Sequence, residues 1–120
     1  MASILIVDDS RTSRRILRNI LEAGGFQVIG EACNGQEAVE LYQQLKPEMV
    51  TMDITMPVMD GLAALQCIRE KDINAKVVMI TAAGQKEKMT EAVKYGAMEF
   101  LTKPFAAEDV IEVVNKVVGN

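Results

Sequence analysis

Met1-Ala2-Ser3-Ile4-Leu5-Ile6-Val7-Asp8-Asp9 opens the chain, and its reading decides the fold. Ile4 to Val7 are apolar without alternation, as in a strand buried on both faces of a parallel sheet, and the run stops at two acids. No basic segment precedes it, so the stretch is not a secretion signal. Short apolar runs recur at Phe26–Ala32, Met49–Met52, Lys76–Ile80 and Glu99–Leu101, several of them continuous rather than alternating. Counting from Ser3, the starts are 23, 23, 27 and 23 residues apart, which leaves room for a helix between each pair.

The intervening segments carry the helical period. Ile16, Leu17, Ile20 and Leu21 form a stripe that ends at Gly24-Gly25, a C-terminal stop. Ala38, Leu41, Tyr42 and Leu45 form the next, opened by Asn34 with Glu37 three residues on as a capping-box-like pair and closed before Pro47. Leu62, Leu65 and Ile68 follow Asp60-Gly61, and Met89, Ala92 and Val93 lead to Gly96. Val110, Ile111, Val114, Val117 and Val118 close the chain, with Glu108, Asp109 and Glu112 early in the helix, where its dipole favours anions. The pattern predicts an α/β fold: a single doubly wound (βα)5 parallel sheet with helices on both faces, as one domain over residues 1–120. A period in the twenties also fits a leucine-rich solenoid, but no LxxLxLxxN frame repeats.

Composition narrows the function. The chain has 120 residues, 49% hydrophobic and 25% charged, within the range of globular domains rather than disordered ones. Its formal charge of −4 argues against a nucleic-acid partner. Histidine is absent, which removes triads, Cys-His dyads and imidazole-bearing zinc sites. Cys33 and Cys67 form no CxxC and read as reduced core thiols. No apolar stretch approaches the roughly 20 residues of a membrane span. These features together predict a cytoplasmic monomer.

Doubly wound sheets bind ligands beyond the carboxyl ends of their strands. Strand one ends in Asp8-Asp9, strand three in Asp53, strand four in Thr81, and strand five in Thr102-Lys103-Pro104. Singly, each has an ordinary explanation: an Asp pair caps a helix, a Thr turns a loop, a Lys is solvated. Jointly they gather three carboxylates, a hydroxyl and an ammonium in one crevice. Such acids repel one another unless a proton or cation compensates, and all-oxygen donors suit Mg²⁺. Lys103 then serves as a point charge for a phosphoryl oxygen and Thr81 as a hydroxyl donor to another. No GxxxxGK[ST] or GxGxxG cradle is present, so the phosphoryl donor is external. A carboxylate in this setting can become an aspartyl phosphate.

At these residues the sequence resembles the receiver domain of two-component response regulators over essentially its whole length. The motifs are the Asp8-Asp9 pair, the DxxMPxxDG block from Asp53 to Gly61, Ile80-Thr81-Ala82, and Thr102-Lys103-Pro104-Phe105. The resemblance is to the stand-alone, CheY-like chemotaxis type, a flavodoxin-like fold whose 2-1-3-4-5 strand order is known for that family rather than derived from this sequence. It implies phosphorylation of Asp53 by a histidine kinase, with Mg²⁺ held by Asp8, Asp9, Asp53 and the backbone carbonyl of Thr55. It implies phosphate contacts from Thr81, Ala82 and Lys103, a cis Lys103-Pro104 bond, and a switch in which Thr81 and Phe100 move together. The implied output surface is the fourth helix, fifth strand and fifth helix, taking a flagellar motor switch protein or another partner. Phe100 replaces the Tyr of many chemotaxis members, so no phenolic hydroxyl is available there, while Thr55 and Ala83 flank the site.

Other roles within the class are a phosphorelay intermediate and a receiver excised from a longer, for example transcriptional, regulator. Outside it, a haloacid-dehalogenase-like phosphohydrolase also uses a strand-one Asp, but Asp8-Asp9-Ser10-Arg11-Thr12 does not meet its DxDx[TV] signature. A flavodoxin-like FMN carrier shares the topology but poorly suits an acidic first loop. Arg11, Arg14, Arg15 and Arg18 recur at helical spacing and read as a basic stripe opposite the apolar face, either an ordinary solvated face or a docking surface for an acidic patch on the phosphodonor.

Overall fold

The structure, a computed structural model, describes residues 2–119. Strands β1 (Ser3–Val7), β2 (Gln27–Ala32), β3 (Met49–Asp53), β4 (Val77–Thr81) and β5 (Glu99–Thr102) alternate with helices. These are α1 (Arg11–Ala23), α2 (Gly35–Leu45), α3 (Gly61–Lys71), α4 (Lys86–Lys94) and α5 (Ala107–Val118). All four strand pairings are parallel, in the order β2-β1-β3-β4-β5. This is the doubly wound sheet that the spacing predicts, and its closed set of crossovers excludes a solenoid.

Because side chains alternate along a strand, each inner strand feeds two cores. Leu5, Val7, Val50, Met52, Val77 and Met79 pack with α2, α3 and Ala92 of α4. Ile4, Ile6, Met49, Val78 and Ile80 pack with Leu17 and Leu21 of α1 and Val110, Val114 and Val117 of α5. Burial on both faces is what makes β1 read as an unbroken apolar run.

The helices are narrower in burial than their sequence stripes. In α1 only Leu17 and Leu21 are buried, while Ile16 is 47% exposed. In α4 only Ala92 is buried and Val93 is 59% exposed. Asn34 caps α2 by accepting from the Glu37 amide, but the Glu37 carboxylate accepts from the Cys33 amide, one residue before the cap. Both cysteines are free but only half-buried: Cys67 leans on the α2/α3 core, whereas Cys33 donates its thiol to Glu37 at the rim. Cys33 is therefore not a core thiol, and Cys67 is one only at the core's edge.

Candidate functional site

Strands β1, β3, β4 and β5 deliver their polar residues to the same edge, because the strands run parallel. Asp8 follows β1 directly, 1% exposed, with its amide bonded to the Ala32 carbonyl of β2. Its Oδ1 accepts from the Ser10 amide at 2.8 Å, and Ser10 in turn caps α1. Asp9 stands beside it at the exposed rim. Asp53 is the last residue of β3 and 8% exposed. One oxygen from each of Asp8, Asp9 and Asp53 lies within 4.8 Å of the others.

Lys103 closes the cluster. Its amide bonds the Thr81 carbonyl, its peptide to Pro104 is cis, and its Nζ lies 2.9 Å from Asp8 Oδ2 and 3.4 Å from Asp53 Oδ2. Burial pulls the ammonium's pKa down, but the hydrogen bond to Asp8 and the charges of Asp53 and Asp8 leave it above its ordinary value. The Asp53 carboxyl is raised as well: burial, then the charge of Asp8, push it up to about 6 against the pull of Lys103. One ammonium facing three carboxylates leaves an excess of negative charge, and every donor is oxygen. That set fits a hard divalent cation.

Thr81 ends β4 beside Asp53's strand and is buried, its hydroxyl donating a long bond, 3.4 Å, to the Leu101 carbonyl of β5. The Ala82 amide is taken by the side chain of Gln85, whose Nε2 donates to Thr55 Oγ1. Gly61 starts α3 so close under β3 that a Cβ there would overlap the Asp53 carbonyl, and its amide bonds the Ile54 carbonyl. Phe100, on β5, is half-buried against the α2/α3 core.

A family model for the response regulator receiver domain matches residues 4–115. The chain belongs to that family. Chemotaxis protein CheY of Thermotoga maritima is 49% identical over 95% of both chains, and CheY of Bacillus subtilis is 47% identical over 94% of both. Among solved structures, the CheY of a CheX-CheY-BeF3-Mg²⁺ complex from Borrelia burgdorferi superposes with a TM-score of 0.92 at 39% identity, covering 97% of this chain and 88% of that one. The receiver is thus of the chemotaxis response-regulator type, and the phosphohydrolase and flavin-carrier readings fall away. Among the described residues no helix is long and apolar enough to cross a membrane.

The strand-end residues of the receiver converge as their positions require. The arginine stripe does not stand free. Arg14 Nε lies 2.9 Å from Glu31 on β2 and its Nη1 donates to the Asp8 carbonyl, while Arg18 pairs with the same glutamate. Against the pull of burial, these bonds hold the Glu31 carboxyl below its usual range. Arg14 and Arg18 therefore brace α1 on β2, and only Arg11 and Arg15 remain exposed. Gln85 escaped the sequence reading altogether. Its one signal was a polar side chain a few residues after Thr81, within reach of a strand-end loop.

Proposed function

We propose that this receiver is a cytoplasmic, phosphorylation-controlled binding switch in chemotaxis, with Asp53 as phospho-acceptor and a histidine kinase as donor. The observation that carries the reading is the Asp53 carboxylate, buried at a strand end and flanked by Asp8, Asp9 and Lys103. Asp8, Asp9, Asp53 and the Thr55 carbonyl would hold Mg²⁺, which when bound neutralises charge on the phosphoryl oxygens.

The chain's own groups do the rest. Asp53 supplies the nucleophilic oxygen, and the rigid strand end holds it toward the incoming phosphorus. Asp8 holds the Lys103 ammonium in place, so the cation is already positioned for a phosphoryl oxygen. Thr81 gives up its long bond to Leu101 cheaply, and its hydroxyl and the Ala82 amide complete the cradle. Movement of Thr81 frees space for Phe100, and phosphorylation biases an existing two-state equilibrium. The output face is α4, β5 and α5, where Val93, Tyr95 and Met98 are exposed apolar side chains near one another in sequence. A flagellar motor switch protein or another output partner binds there, to a monomeric receiver.

Mass spectrometry after incubation with acetyl phosphate and Mg²⁺ tests the acceptor: a phosphoryl group on Asp53, lost in Asp53→Asn, is the expected result. Modification elsewhere, or none, overturns it. Capture from native lysate with beryllofluoride-activated protein against Asp53→Asn tests the wiring. A motor-switch component retained by the activated form alone supports the chemotaxis role; retention of only a phosphotransfer protein supports a relay.

A further inference from the structure

Gln85 immediately precedes α4, yet its side chain offers nothing to that helix. The amide reaches back across the cleft instead. Its Oε1 accepts from the Ala82 backbone N–H at 2.7 Å and its Nε2 donates to Thr55 Oγ1 at 2.9 Å. The orientation follows from the partners, since a backbone N–H can only donate and must face the oxygen. One side chain therefore ties the loop after β4 to the loop after β3, at the mouth above Asp53. Between Ala82 and Gln85 the chain turns through Gly84 at φ +85, a conformation that costs glycine nothing.

We propose that Gln85 is a latch that occupies the Ala82 N–H until a phosphoryl group displaces it. The inference rests on the reading of Ala82 as a phosphoryl donor. An N–H carries one proton and cannot serve the glutamine oxygen and a phosphoryl oxygen at full strength together. Occupation of the cradle therefore requires the Gln85 side chain to let go. Because Gln85 is the residue from which α4 starts, its release alters the first turn of the helix on the output face. The latch raises the threshold for activation and passes the event to α4 through a residue that touches neither Asp53 nor the metal-binding oxygens.

The test uses beryllofluoride with Mg²⁺ as the probe and the intact receiver as the protein. Gln85→Met keeps the side chain's length and removes both hydrogen bonds; Thr55→Val removes the far anchor and keeps its shape. With one net hydrogen bond no longer to be broken, Gln85→Met should bind beryllofluoride roughly threefold to tenfold more tightly by calorimetry. The Ala82 amide should shift in the NMR spectrum of the probe-free variant toward its probe-bound position. Thr55→Val should move affinity in the same direction by less, and should add nothing in the Gln85→Met background. Wild-type binding with unchanged or weaker affinity in both variants overturns the latch alone. A wild-type protein that ignores the probe, or an Asp53→Asn protein that binds it equally well, overturns the acceptor reading and the latch with it.

Discussion

The Lys103 ammonium is bonded more closely to Asp8 than to Asp53, at 2.9 Å against 3.4 Å. The lysine thus supplies part of the positive charge that these acids need, and it draws on carboxylates that would also hold a divalent cation. Lys103→Met should destabilise the metal-free protein by roughly 1–2 kcal/mol, because the acids lose their counter-charge. The same substitution should tighten Mg²⁺ binding, on the order of tenfold, by removing a neighbouring positive charge. Calorimetric Mg²⁺ titration beside thermal melts in chelator reads both; unchanged Mg²⁺ affinity would show that the ammonium and the metal do not share these ligands.

Asp53 gives stability a pH dependence of definite sign. Its folded pKa, about 6, lies above its ordinary value of 3.8, so the native state holds a proton that the unfolded chain has released. The contribution is full below the unfolded pKa and is lost as pH rises through the folded one. In metal-free buffer Asp53→Asn should therefore gain roughly 1–3 kcal/mol over wild type at about pH 8, shrinking toward zero at about pH 4. Melting curves across that range decide it, and a gain independent of pH would refute the assignment.

Thr51, midway along β3, is fully buried, and its hydroxyl has no hydrogen-bond partner among the described residues. By alternation it faces the same core as Met49, among Ile4, Ile6 and Val78. Thr51→Val replaces an unpaired hydroxyl by a methyl of equal size and should stabilise the fold by about 1 kcal/mol. Urea unfolding should show a higher midpoint at an unchanged slope; a lower midpoint would mean that the hydroxyl is satisfied.

Val58 sits at φ +68, a left-handed conformation that a β-branched side chain adopts at a cost, and it is 83% exposed. Almost no packing compensates. Val58→Gly relieves that strain against a smaller loss of unfolded-chain restriction, for a net gain of roughly 0.5–1 kcal/mol. Equilibrium denaturation of the single variant is sufficient, and destabilisation would locate a contact that this side chain makes.

The sequence was most legible where one physical demand dominates. Apolar runs at β1, β3 and β4, interrupted in β3 only by Thr51, record burial on two faces, and the acids that end β1 and β3 mark where the sheet meets water. Residues that depend on what lies across a gap were not legible. The arginines of α1 spell a charged face, but nothing in their spacing announces Glu31 on the neighbouring strand, 17 residues from Arg14. Ile16 fits the apolar period of α1 yet lies outside the narrow strip that Leu17 and Leu21 cover. Gln85 is the one polar side chain in the Ala82-Ala83-Gly84-Gln85 loop, but nothing in that stretch announces Thr55, 30 residues away in sequence, as the partner of its amide.

Gly61 has a mechanical consequence. With no space for even a methyl between α3 and the Asp53 carbonyl, the bank of the cleft formed by β3 and α3 is stiff. The opposite bank is compliant: a stretched hydroxyl bond at Thr81, a glycine joint at position 84, and a helix held at its start by one side chain. Load applied at Asp53 is borne by the stiff bank with little displacement and is taken up as movement by the compliant one. The direction in which the signal leaves is therefore a ratio of compliances. Softening the α3 contact would leak motion toward α2 and α3 and weaken the output without touching a single polar group at the site.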